Sequence, residues 1–124
     1  MAGELILIVE DNEKNLKLAR DLLQYQGFRT LEAGNATDGI ALAEQHGPAL
    51  VLMDIQLPDM DGITALGKLR GSPATADIPV VALTAFAMRQ DEERLLAAGF
   101  DGYLSKPIDI RVFSDQVRRY CERL

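Results

Sequence analysis

Four apolar runs in this chain are each closed by polar residues able to do chemistry. Glu10-Asp11 follows Leu5 to Val9, Asp54 lies near the end of Leu50 to Ile55, Thr84 closes the run from Val80, and Ser105-Lys106-Pro107 follows Gly102 to Leu104. Three carboxylates packed together repel one another, which raises their proton affinities or destabilises the fold unless a cation offsets the charge. A divalent ion is the natural solution. Mg2+ wants near-octahedral oxygen coordination, keeps several waters and is usually held by one or two carboxylates plus phosphate oxygens. Asp11 and Asp54 can supply that, with Glu10 behind. Lys106 can hold a phosphoryl oxygen and the Thr84 hydroxyl can donate to another, which leaves Asp54 as nucleophile. Carboxylates attack phosphorus, and the protein's task in such a transfer is mostly positioning and charge neutralisation. The product is an acyl phosphate.

These residues converge only if their runs lie side by side. The runs at Leu5, Leu50 and Val80 are nearly continuous Ile, Leu, Val and Met, as central strands covered on both faces require, whereas Phe28 to Ala33 alternates like an edge strand. Gly102 to Leu104 reads as a short fifth strand. Helical patterns fall between them. The first carries Leu16, Ala19 and Leu23, with Asn12 as N-cap and Gly27 as stop. The second runs from an Asn35 cap through Ile40 and Ala43 to Gly47-Pro48, and the third carries Ile63, Leu66 and Leu69 before Gly71. The fourth spans Arg89 to Ala98 with Gly99 at its end, and the fifth opens at Asp109 and buries Phe113, Val117, Tyr120 and Leu124. Strands alternating with helices at this spacing form a five-stranded parallel sheet with right-handed crossovers, a doubly wound α/β fold. Ligands of such sheets bind outside the carboxyl ends of the strands, where the polar residues gather.

Composition narrows the function classes. The 124 residues are 48% hydrophobic, 26% charged and 6% aromatic, with no tryptophan. That is the balance and size of one globular domain over residues 1–124, with no room for a second. A net charge of -6 and a pI near 4.7 argue against nucleic-acid binding through a broad basic face. Cys121 is the only cysteine, so no intramolecular disulfide forms and a reducing, cytoplasmic compartment fits best. The start lacks the pattern of a signal peptide, and no apolar run is long enough to span a membrane.

The motifs Val9-Glu10-Asp11-Asn12, Leu52-Met53-Asp54-Ile55-Gln56-Leu57-Pro58-Asp59-Met60-Asp61-Gly62, Leu83-Thr84-Ala85 and Ser105-Lys106-Pro107 closely resemble those of response-regulator receiver domains of bacterial two-component systems. The resemblance covers essentially the whole chain. Any one motif is weak, but together, in order, at successive strand ends, they are specific. The resemblance implies strand order 2-1-3-4-5, Asp54 as phosphoacceptor, and Mg2+ held by Asp11, Asp54 and the Gln56 backbone carbonyl, with Glu10 assisting through water. It implies that Lys106 and Thr84 contact the phosphoryl group, that the Lys106-Pro107 peptide is cis, and that Tyr103 is an aromatic switch turning inward as Thr84 shifts. A switch of this kind works by favouring one of two existing states. The phosphodonor is then a histidine kinase or histidine phosphotransfer protein, and a downstream protein docks on the fourth helix, fifth strand and fifth helix of a monomer or weak dimer. Glu10-Asp11-Asn12, Met53-Asp54-Ile55-Gln56-Leu57-Pro58 and Ala82-Leu83-Thr84-Ala85-Phe86-Ala87-Met88 look like those of single-domain cell-division receivers, and receivers cut from hybrid histidine kinases look similar. By this reading the chain has no output domain and is a phosphoacceptor, not an enzyme with a separate substrate.

Plainer readings compete residue by residue. Glu10-Asp11 could cap a strand-to-helix turn, and Lys106 and Thr84 taken singly are ordinary surface and strand residues. The constellation reverses those odds. Tyr103 could simply bury ring area. His46 is a favourable last residue of a helix, and Arg111, Arg118, Arg119 and Arg123 read as a solvated face. Phe86 is placed to shield a phosphoryl group from water, which predicts slow self-dephosphorylation. A haloacid-dehalogenase-type phosphatase needs an acid/base aspartate where this chain has Gln56. A flavodoxin-like carrier needs a phosphate-binding loop where Glu10-Asp11-Asn12-Glu13 would repel the flavin phosphate. A degenerate receiver acting only as a binding module is the remaining alternative.

Overall fold

Strands that are apolar at every position need cover on both faces, and the computed structural model, which describes residues 3–85 and 89–122, supplies it. Strands β1 (Leu5–Val9), β2 (Arg29–Ala33), β3 (Leu50–Asp54), β4 (Val80–Thr84) and β5 (Gly102–Ser105) alternate with helices α1 (Glu13–Tyr25), α2 (Ala36–His46), α3 (Gly62–Arg70), α4 (Arg89–Ala98) and α5 (Phe113–Glu122). All pairings are parallel, in the order β2-β1-β3-β4-β5. The fold class and strand order match the sequence-based expectation, with β2 at an edge.

The side-chain period of two divides each central strand between two cores. Leu7, Val9, Val51, Met53, Val80 and Ala82 pack with Ala36 and Ala43 of α2, Leu66 and Leu69 of α3 and Leu95 of α4. Ile6, Ile8, Leu50, Leu52, Val81 and Leu83 point the other way, against Ala19 and Leu23 of α1 and Phe113 and Val117 of α5. Leu52 is fully buried, so its truncation to alanine should cost about 2–5 kcal/mol through lost transfer energy and a residual cavity.

Helix boundaries follow the cap chemistry. The Asn12 side chain accepts from the amides of Lys14 and Asn15, both at 3.0 Å, and Asn35 accepts from Asp38 N at 2.8 Å. Gly47 ends α2 at φ 55, in the left-handed region where a side chain would be strained. The fifth helix departs from expectation. Asp109 does not open it; its carbonyl accepts from Val112 N and Phe113 N in a separate turn, and its carboxylate is engaged by the Arg111 amide and guanidinium. The regular helix starts at Phe113 and leaves Ile110 and Val112 exposed. Tyr120 is half-buried, and Leu124 lies outside the described residues. Among the described residues, no helix is long and apolar enough to cross a membrane.

Candidate functional site

Register aligns the strand ends. Val9 pairs with Met53, Asp54 with Leu83, and Thr84 with Ser105, so the residues that end β1, β3, β4 and β5 share one edge of the sheet. Glu10 is fixed there by its amide, which donates to Ala33 O at 2.9 Å, and Lys106 by its amide, which donates to Thr84 O at 2.8 Å.

Glu10 and Asp54 are 1% and 3% exposed, whereas Asp11 faces solvent. Carboxylate oxygens of all three lie within 4.8 Å of one another. The Lys106 ammonium donates to Asp54 Oδ2 at 2.8 Å and to Glu10 Oε1 at 3.3 Å. The other oxygen of Asp54 accepts from Gln56 N at 2.9 Å, and the other oxygen of Glu10 accepts from Asn12 N at 3.2 Å. One ammonium thus faces three carboxylates. Burial, followed by the hydrogen bond and charge of Asp54, pushes the Glu10 carboxyl up to about 7. Burial alone would lower the proton affinity of Lys106, but Asp54 and Glu10 outweigh it and hold the ammonium above its ordinary value.

The donor set fits a hard divalent cation. It offers carboxylate oxygens only, one of them solvent-facing, with negative charge in excess of the single lysine. A cation among these oxygens would offset part of the negative charge that, together with burial, makes Glu10 hold its proton.

The remaining expected residues fall around this centre. Thr84 is fully buried at the end of β4, one residue past the partner of Asp54. Gln56 is exposed, with its backbone tied to Asp54. The Lys106–Pro107 peptide is cis. Tyr103, half-buried on β5, has its phenol against Glu92 of α4; that hydrogen bond, then burial, raises its pKa. Phe86 lies outside the described residues. His46 ends α2 as a helix-terminal residue. Of the arginines expected on the outer face of helix five, Arg118 stacks 4.9 Å from the Phe28 ring centroid, Arg111 precedes α5 and pairs with Asp109, and Arg123 lies outside the described residues.

Two engaged side chains carry no local sequence signal. Asp59 reaches across to the start of α2, and Arg70 binds the loops before β4 and β5. Acidic and basic residues in loops are common, and only the packing of distant segments reveals these partners.

A family model described as "Response regulator receiver domain" matches residues 6–118. The polar-differentiation response regulator DivK of Brucella anthropi is 44% identical over 115 residues, covering 93% of this chain and 94% of that protein. The receiver domain of a sensor histidine kinase from Pseudomonas aeruginosa, solved with a magnesium ion coordinated in its active-site cleft, is 32% identical, with a TM-score of 0.88 over 98% of this chain and 99% of that one. The chemotaxis response regulator CheY4 of Vibrio cholerae, at 22% identity, shares the fold with a TM-score of 0.88 over 97% of this chain and 98% of that one. The family match, the fold and the 44% identity over nearly the full length agree: this chain belongs to the response regulator receiver domain family of two-component signalling.

Proposed function

We propose that the chain accepts a phosphoryl group on Asp54 from a phosphohistidine of a histidine kinase or phosphotransfer protein, in a Mg2+-dependent reaction. The observation that carries this reading is the Lys106 ammonium shared between Asp54 and Glu10 in a cluster with surplus negative charge. An Asp54 carboxylate oxygen attacks phosphorus, the phosphorus–nitrogen bond breaks, and the leaving imidazole keeps the electron pair. Lys106 moves its hydrogen bonding from the carboxylate to a phosphoryl oxygen, and the Thr84 hydroxyl donates to another. Asp11, Asp54 and the Gln56 carbonyl would hold the Mg2+, which would supply neutralisation of the charge that gathers on the transferred group. Glu10 contributes a third carboxylate to that environment.

Thr84 and Tyr103 then carry the signal. Tyr103 pairs with Ala82 in the sheet and contacts α4 through Glu92, so a change in its rotamer alters the α4–β5–α5 surface on which a partner protein would dock. The protein works in the cytoplasm in this reading and turns over no separate substrate.

The test is incubation with acetyl phosphate, with and without Mg2+, followed by intact mass before and after hydroxylamine. A Mg2+-dependent, hydroxylamine-labile adduct of one phosphoryl group, absent from Asp54→Asn, is the expected result. No adduct in a folded protein that also ignores Mg2+ and beryllofluoride would make it a binding module only.

A further inference from the structure

The segment after the phosphoacceptor strand is tethered along its length. Gln56 N donates to Asp54 Oδ1 at 2.9 Å, Gln56 forms an isolated bridge with Asp61, and Gly62 N donates to Ile55 O at 2.9 Å. A Cβ on Gly62 would lie 2.7 Å from Ile55 Cα, so this closing turn tolerates no larger residue. Asp61 caps α3 by accepting from Thr64 N at 2.7 Å. The outer bend of the loop is held by Asp59, which binds a different helix. One of its oxygens accepts from Ala36 N at 2.9 Å; the other accepts from Thr37 N at 2.8 Å and from the Thr37 hydroxyl at 2.5 Å.

The first amides of a helix have no intrahelical acceptor. In α2 two segments satisfy them: Asn35 locally, on Asp38 N, and Asp59 from 23 residues beyond Ala36. The two caps differ in what else they hold. Asn35 belongs to the segment that leads into α2, whereas Asp59 belongs to the loop that begins at Gln56. Losing either weakens the start of α2, but losing Asp59 also releases the outer bend of the loop. We infer that Asp59 is a positioning residue: by clamping the 56–61 loop to the first turn of α2 it fixes the Gln56 carbonyl for cation binding. This rests on the function proposed above. The Thr37 hydroxyl and the two amides hold the Asp59 carboxyl down to about 2, so the clamp stays charged over the working pH range.

Calorimetric titration of Mg2+ into the wild-type protein, Asp59→Ala, Asp59→Glu and Asn35→Ala separates positioning from capping, with thermal melts recorded for each. Both alanine variants should melt earlier. Only Asp59→Ala should weaken Mg2+ binding, by roughly tenfold or more, as loss of a partner behind the metal ligands typically does, and Asp59→Glu should recover most of the affinity. If Asp59→Ala does not fold, Thr37→Val and Asp59→Asn replace it, with graded weakening expected in that order. Equal Mg2+ affinity in the Asp59 and Asn35 variants, beside normal wild-type binding, overturns this inference alone. A wild-type protein that takes up no Mg2+ overturns the proposed function, and the inference with it.

Discussion

Arg70 and Lys106 sit at opposite edges of one sheet and show two ways of enclosing a cation. At the amino edge, Arg70 donates to the carbonyls of Ala76 at 3.1 Å, Ile78 at 2.6 Å and Gly99 at 3.3 Å, and to Asp101 Oδ2 at 2.8 Å. That same Asp101 oxygen accepts from Val80 N at 2.8 Å. The guanidinium meets one carboxylate, and three neutral carbonyls accept from its two terminal nitrogens. At the carboxyl edge Lys106 meets two buried carboxylates, with a third nearby. The amino edge is electrically closed and staples α3 to the loops that lead into β4 and β5. The carboxyl edge is left with negative charge that only an arriving cation, proton or substrate rearrangement can neutralise. Stability resides where charges balance, and chemistry where they do not.

The sharpest way to break this contrast is to remove each cation in turn. Lys106→Met leaves two buried carboxylates without their partner and should cost about 4 kcal/mol in urea unfolding without Mg2+ at pH 8; much of that should return at pH 5, where Glu10 can bind a proton. A pH-independent loss would mean that Lys106 acts by packing alone.

Titration of the intact protein probes the same imbalance. Glu10 holds its proton to about pH 7 in the folded state against an ordinary 4.5, so its contribution to stability is complete below about pH 4.5 and is lost as pH rises through 7. Thermal melts without Mg2+ should therefore fall between pH 5 and pH 8, by roughly 3 kcal/mol, and Mg2+ at pH 8 should reverse the fall. A flat profile would show that the carboxylates tolerate one another.

Arg70→Met should cost about 2 kcal/mol, through carbonyls left without a donor and the loss of a partly exposed ion pair, yet leave the proposed Mg2+-dependent phosphorylation of Asp54 at the wild-type rate once the protein is folded. A large change in that rate would couple the two edges. The smallest effect expected is a gain. Asp54→Asn removes one of the crowded charges and should stabilise the Mg2+-free protein by about 1 kcal/mol at pH 8, while flattening its pH dependence, because Asp54 no longer raises the Glu10 pKa. Destabilisation would mean that the Lys106–Asp54 pair outweighs the repulsion.

The parts of this molecule that can be read from sequence are those whose signals are local. Continuous apolar runs around Ile6, Leu52 and Val81 require a two-faced sheet, and Asn12 and Asn35 mark helix starts because their partners lie two or three residues on. Glu10, Asp54 and Lys106 are conspicuous as charges at the ends of apolar runs. Asp109 misleads for the same reason: it is a good cap type, but Arg111 engages its side chain and a separate turn precedes α5. Arg70 and Asp59 are invisible by spacing, since Asp101 lies 31 residues from the first and Ala36 23 residues from the second. Their roles come from the crossovers between parallel strands, which bring distant loops together.

The pairing register also bears on how such a chain can change by descent. Met53 belongs to one core and Leu52 to the other, and Asp54 follows them at the sheet edge opposite Leu83. Loss of a single residue inside β3, with the start of the strand held in register, would draw the carboxylate into the place of Met53 and turn every side chain after the deletion toward the other core. Letters on the outer helix faces are free to drift, but the length of β3 is not, so insertions and deletions are confined to the connections between elements. In this architecture the counting of residues is inherited more strictly than their identity.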